Sequence, residues 1–241
     1  MGGKMNLSDK GLMALISHEG IVQSRYKDSV GVWTIGVGHT AMAGGIDPAK
    51  FAGTLTMKEV FDLLRVDVAK YEAAVNRTVK VPVKQHQFDA LVSFHYNTGA
   101  IGKATLVKRL NAGDIAGAGD GFNNWLKPKE ITDRREAEQE LFRTGKYPAP
   151  FATVYPATPQ GKVLWKQGRR IDLAKALFIE TAKPVEAVKP VETRTEVQLP
   201  APWLHPDADP AISGETPKPA PAKMNWLKLI WAALAAMFVR K

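Results

Sequence analysis

The sequence predicts an α+β fold: a mostly helical domain with a small antiparallel sheet, followed by a Pro-rich linker and a short C-terminal apolar helix. Three observations predict it. Through residues 1–180, apolar side chains recur at helical spacing with only seven prolines. One stretch, RYKDSVGVWTIGVGHT at 25–40, alternates β-branched and aromatic residues with glycines and reads as a short, bent sheet. Near residue 181 the composition changes: nine of the 16 prolines fall in 181–223, where large apolar residues are few.

Each element has its own signal. Ser8 or Asp9 can cap a first helix over Gly11 to Glu19, with Leu12, Leu15 and Ile16 on one face. Gly20 follows as a helix-stop signal. After the sheet, Thr56 and Glu59 form a capping box for a helix through about Asn76. Lys84 to Thr98 is the next helix, placing Phe88, Leu91, Val92 and His95 at helical intervals. Further helices are predicted over Leu106–Asn111, Ile115–Asn123, Asp133–Thr144 and Thr158–Ile179. The resulting organisation is a domain at 1–180, a semi-extended linker at 181–223 and a tail helix at 224–241.

Composition narrows the chemistry. There is no cysteine, so neither a thiol nucleophile nor a Cys-bound metal is available. No His/Asp/Glu cluster has metal spacing, and no cofactor or metal is expected. The formal charge is +9, of which +7 falls in residues 1–180, favouring a polyanionic partner: nucleic acid, an anionic membrane or a cell-wall polymer. A nucleic-acid partner is disfavoured by the absence of any recognition motif or aromatic-basic stripe. MGGKMNLSDKGLMAL has no apolar run of signal-peptide length, and Asn6 breaks a myristoylation motif.

Two carboxylates and a hydroxyl stand out around the sheet. Cleaving a glycosidic bond needs a proton donor for the leaving oxygen and an opposing group to activate water or stabilise a cation. Glu19 is expected at a helix C-terminus, where the dipole disfavours its charge and suits a general acid. Asp28 enters the glycine-punctuated stretch, and Thr34 offers a hydroxyl that can orient water. On spacing alone these are equally ordinary solvated carboxylates. Gly36 and Gly38 read as sheet bends, His39 as a structural histidine, and Trp125 and Trp165 as core residues.

Glu19-Gly20, with eight residues to Asp28 and five more to Thr34, resembles the catalytic signature of glycoside hydrolase family twenty-four, the phage-type lysozymes. WTIGVGHT at 33–40, FHYNTGAIGKATLVKRLNAGD at 94–114 and DRREAEQELFRTG at 133–145 resemble its hairpin, central helix-turn-helix and late Arg-rich helix. The resemblance runs from about Leu7 to Leu177. It implies an inverting hydrolase of peptidoglycan glycan strands. Glu19 would be the general acid, Asp28 would support the attacking water or the developing charge, and Thr34 would hold that water. Arg134 falls where the family pairs an arginine with its catalytic Glu, and with Asn97 it is assigned to substrate binding. An arginine beside Glu19 would oppose the dipole, and the sequence leaves the winner open.

The resemblance also implies a monomer made in a bacterial host's cytoplasm and acting on peptidoglycan in the periplasm, with a separate membrane pore for release. The alternatives are a lytic transglycosylase, which needs the acid but no water-holding pair, and a membrane-active protein whose lysozyme fold is inactive. From Trp226 to Val239 the tail carries one charge, Lys228, and is flanked by Lys223, Arg240 and Lys241. As a helix it spans about 21 Å against a hydrocarbon core of about 30 Å. Trp226 and Trp231 suit an interface, so membrane contact is expected of this segment.

Overall fold

The computed structural model describes residues 3–182. The expected tail helix, and the expected linker beyond Ala182, lie outside the described residues. Seven α-helices and five strands are found within them: α1 (Asp9–Ser17), β1 (Gly20–Lys27), β2 (Trp33–Gly36), β3 (His39–Thr40), α2 (Met57–Thr78), α3 (Gln85–Thr98), α4 (Thr105–Asn111), α5 (Ile115–Asp120), α6 (Thr132–Thr144), β4 (Phe151–Val154), β5 (Arg169–Asp172) and α7 (Leu173–Ala182).

Caps fix the helix starts. Ser8 Oγ accepts from Gly11 N at 2.9 Å, opening α1. Thr56 and Glu59 close the predicted capping box of α2 from both sides. Gly99 ends α3 and Gly145 ends α6, both left-handed, a conformation glycine adopts without a Cβ penalty. Leu12, Leu15 and Ile16 of α1 meet Val60, Leu64 and Val68 of α2, Phe88 and Leu91 of α3, and Leu141 and Phe142 of α6 in one buried core.

Three predicted details are corrected. The sheet is mixed, not purely antiparallel: its order is β3-β2-β1-β4-β5, and β1 pairs β4 in parallel. The helix expected over 158–179 is instead a loop, a 3-10 turn at Trp165–Gln167, strand β5 and then α7. Pro159 and two glycines interrupt that run. Gly161 sits at φ 89° with its α-carbon against the Trp33 ring, and the backbone of 169–172 pairs with β4 rather than with itself. The helix expected to reach Asn123 stops at Asp120 and tightens to 3-10, where a Cβ on Gly121 would lie 2.5 Å from Leu106 Cβ.

The sheet bends as expected at Gly36 and Gly38, with φ 67° and 78°. His39 is buried, its Nδ1 3.0 Å from Asp67 and its Nε2 2.8 Å from the Ile46 carbonyl, in keeping with a structural role. Trp125 packs edge-on against Phe94 at the margin of the core. Trp165 lies in the 3-10 turn rather than in an α-helix; it joins Tyr155 over a small second cluster made by Val22 and Tyr26 of β1 and Val163 of the segment after β4.

Candidate active site

The chain turns out of α1 at His18, which caps the helix, so Glu19 lies just past the helix and Gly20 opens β1. The expected helix-stop role of Gly20 is therefore replaced by another: a Cβ there would stand 3.1 Å from the Tyr155 ring. Glu19 is held at the junction of helix and sheet with its side chain 1% exposed. One oxygen, Oε1, accepts from Arg134 Nη1 at 2.6 Å. The other, Oε2, is buried with no hydrogen-bond partner among the described residues.

Burial dominates the electrostatics of this carboxyl. Desolvation pushes the Glu19 pKa up from its ordinary value, and the Arg134 charge and hydrogen bond, although opposing, do not cancel it. The opposition expected between an environmental rise and an arginine is present, and burial is the largest cause of the rise. His18 is driven the other way, down to about 3, by burial and by the charges of Arg134 and Arg135. It remains a neutral imidazole at ordinary pH.

Arg134 itself is anchored by α3 and α6. Its Nε donates to Glu138 Oε1 at 3.0 Å and its Nη2 to the Ser93 carbonyl at 3.2 Å. Ser93 Oγ also donates to Glu138 Oε1, at 2.6 Å. Arg135 Nη1 lies 2.7 Å from Glu138 Oε2, while its Nη2 donates to Asn97 Oδ1 at 2.8 Å. The Asn97 amide nitrogen is buried and has no partner among the described residues, so a donor is available there. One connected network thus runs from Glu19 through Arg134, Glu138 and Arg135 to Asn97.

Asp28 and Thr34 meet around a different residue, Val32, at the turn joining β1 and β2. Asp28 Oδ1 accepts from the backbone N–H groups of Val30 (3.0 Å) and Val32 (2.8 Å). This shapes the turn and leaves Oδ2 outside those bonds. Thr34, 3% exposed, donates its hydroxyl to the Val32 carbonyl at 3.1 Å. With its proton committed, the Thr34 oxygen can only accept from a bound water. Strand register sets Thr34 directly opposite Tyr26. The Tyr26 phenol is raised by burial and by the charges of Asp28 and Glu19, so all three groups share one electrostatic neighbourhood. No hydrogen bond among the described residues joins Asp28 or Thr34 to Glu19.

Sequence reading missed Glu138, Arg135, Ser93 and Tyr26. A signal was present for the first two: Arg134-Arg135-x-x-Glu138 puts both guanidiniums within one helical turn of the carboxylate. Nothing in the sequence separates that arrangement from an exposed ion pair. Tyr26 needed the strand register.

A buried acid gripped by an arginine, facing a bent sheet within a helix-dominated α+β domain, defines a lysozyme-type glycoside hydrolase. The chain belongs to the phage lysozyme family, whose model matches residues 16–138. It is 34% identical over 151 residues to the endolysin of Acyrthosiphon pisum secondary endosymbiont phage 1, covering 58% of this chain and 99% of that protein. It is 36% identical over 148 residues to the SAR-endolysin of Escherichia phage Mu, covering 58% and 83%. The solved endolysin from Escherichia coli O157:H7 phage FAHEc1 is similar in structure, with a TM-score of 0.55 at 35% identity over 61% of this chain and 99% of that one. The protein is a muramidase-type glycoside hydrolase with an endolysin role.

Proposed function

We propose that the chain hydrolyses the β-1,4 bond between N-acetylmuramic acid and N-acetylglucosamine in peptidoglycan, bringing about host cell lysis, with Glu19 as the general acid. The observation that carries this reading is the asymmetry of the Glu19 carboxyl. Oε1 is fixed by Arg134, whereas Oε2 has no hydrogen-bond partner among the described residues, and burial favours the protonated form. An acid oriented through one oxygen can deliver its proton from the other to the leaving sugar oxygen. Thr34 Oγ accepts a hydrogen from the attacking water, and Asp28 Oδ2 supports that water or the developing positive charge. Asn97 Nδ2 donates to a sugar substituent. Arg134 serves the substrate indirectly, by fixing the acid. The protein would act in the periplasm after release through a separate pore, with the tail on the membrane.

The test is mass spectrometry of peptidoglycan digested by purified wild-type protein and Glu19→Gln. Reducing sugar ends from wild type, and a loss of roughly 10²–10⁴-fold in the variant, are expected. Anhydro-sugar ends would replace hydrolysis by transglycosylation. Lysis by Glu19→Gln within a factor of about two of wild type would remove Glu19 from the mechanism.

A further inference from the structure

Behind Arg134 stands a second carboxylate more enclosed than the first. The side chain of Glu138 is fully buried, as is that of Arg135, and Arg134 is 5% exposed. Arg134 divides its guanidinium between two acids, Nη1 to Glu19 and Nε to Glu138. An arginine facing Glu19 alone, with Arg135 adding its charge nearby, would hold Glu19 ionised and useless as a proton donor. Glu138 prevents this in two ways. It accepts from Arg134 Nε, Arg135 Nη2 and Ser93 Oγ, which sets the fork of Arg134, and it supplies the negative charge that the two arginines would otherwise find only in Glu19.

We infer that Glu138 is a positioning residue for Glu19: it aims Arg134 through Nε and offsets the charge that both arginines bring to bear on the Glu19 carboxyl. Arg135 acts in the opposite sense and also holds Asn97. The other titratable groups around Glu19 leave this balance alone. His18, at the end of α1, stays neutral, and the phenols of Tyr26 on β1, Tyr71 on α2 and Tyr96 on α3 are all pushed up. Asp28, in the turn after β1, is unaltered in every variant below. The charges that act on Glu19 are those of Arg134, Glu138 and Arg135, Glu138 raising its pKa and both arginines lowering it.

The inference rests on Glu19 being the proton donor, and it predicts shifts of opposite sign. A general acid is active while protonated, so its pKa sets the alkaline limb of the activity profile. Glu138→Gln should move that limb down by about one pH unit or more, and Arg135→Met should move it up. The double variant, which removes one charge of each sign, should return towards wild type. A carboxyl-carbon NMR titration of Glu19 in the same proteins reads the shifts without reference to activity. A merely structural role would lower activity in both single variants while leaving the limb and the Glu19 titration in place. Unmoved limbs, or shifts in the same direction, overturn the inference. Should Glu138→Gln fail to fold, Arg135→Met decides alone, since an unmoved Glu19 titration there removes the balance. Activity retained in Glu19→Gln would sink the proton-donor reading instead, and an inactive Glu19→Gln beside unmoved limbs would sink only the role of Glu138.

Discussion

At Glu19 the environment favours the neutral acid over the charge, and this has a consequence for stability. The folded protein holds a proton on Glu19 at pH values where the unfolded chain, with an ordinary carboxyl near 4.5, has lost it. The stabilising share of this group is therefore fully present below about pH 4.5 and is lost as pH rises through the folded-state value. Each unit between the two values corresponds to about 1.4 kcal/mol. Glu19→Gln fixes the neutral state and escapes that loss. Thermal melts across pH 4–8 should show the variant gaining on wild type as pH rises, the sign expected where an active residue is kept at the cost of stability. A difference that does not change with pH would mean that Glu19 is not perturbed. The residue itself was legible from its spacing to Asp28 and Thr34. The cause of its perturbation was not, because Arg134, the α6 residue that grips it, comes from a chain segment more than a hundred residues away.

Among the elements, those with local signals were the most legible. The capping box at Thr56 and Glu59 and the helical spacing of Phe88, Leu91 and Val92 in α3 needed only neighbours in sequence. Strands β4 and β5 were not legible, since FATV and RRID are four-residue runs whose identity depends on pairing with each other and with Gly20–Ile21. The α1–α3 junction shows how a distant partner overrides a local preference. Gly11 lies in the first turn of α1, and within a helix alanine is ordinarily favoured over glycine by roughly 0.5–1 kcal/mol. Its α-carbon instead faces Asp89 of α3, and an added Cβ would stand 2.5 Å from Asp89 Cγ. Asp89 cannot easily move. It accepts from Ser8 N, Ser8 Oγ, Gln85 Nε2 and Tyr147 Oη at 2.5–3.1 Å, and it is 1% exposed. Gly11→Ala should therefore destabilise the domain, by about 1–3 kcal/mol as for other overpacked sites. Urea denaturation checks this: a rise in midpoint would show that Asp89 is freer than its four bonds imply.

For the whole molecule the decisive feature is a separation of properties along the chain. The acid, its arginine network and the family match all fall before residue 181, whereas the apolar basic segment begins at 224, beyond a stretch with nine prolines. No helix among the described residues is long and apolar enough to cross a membrane. The apolar run and flanking bases of residues 224–241 are the proposed source of membrane affinity. Burying the Trp, Leu, Ile, Met and Phe side chains there should contribute about 1.5–3 kcal/mol for each one fully buried. Lys223, Lys228, Arg240 and Lys241 should each add up to about 1 kcal/mol on an anionic surface. The domain's own +7 competes as a binding determinant, and salt separates the two, because ions screen charge but leave apolar burial untouched. Full-length protein should float with phosphatidylglycerol-containing vesicles and be only partly released at high salt. Protein truncated after Lys223 should stay at the bottom of the gradient yet digest soluble glycan fragments at the wild-type rate. Flotation of the truncated form would transfer the membrane contact to the basic face of the enzyme domain, and failure of both forms to float would leave the tail with no membrane role.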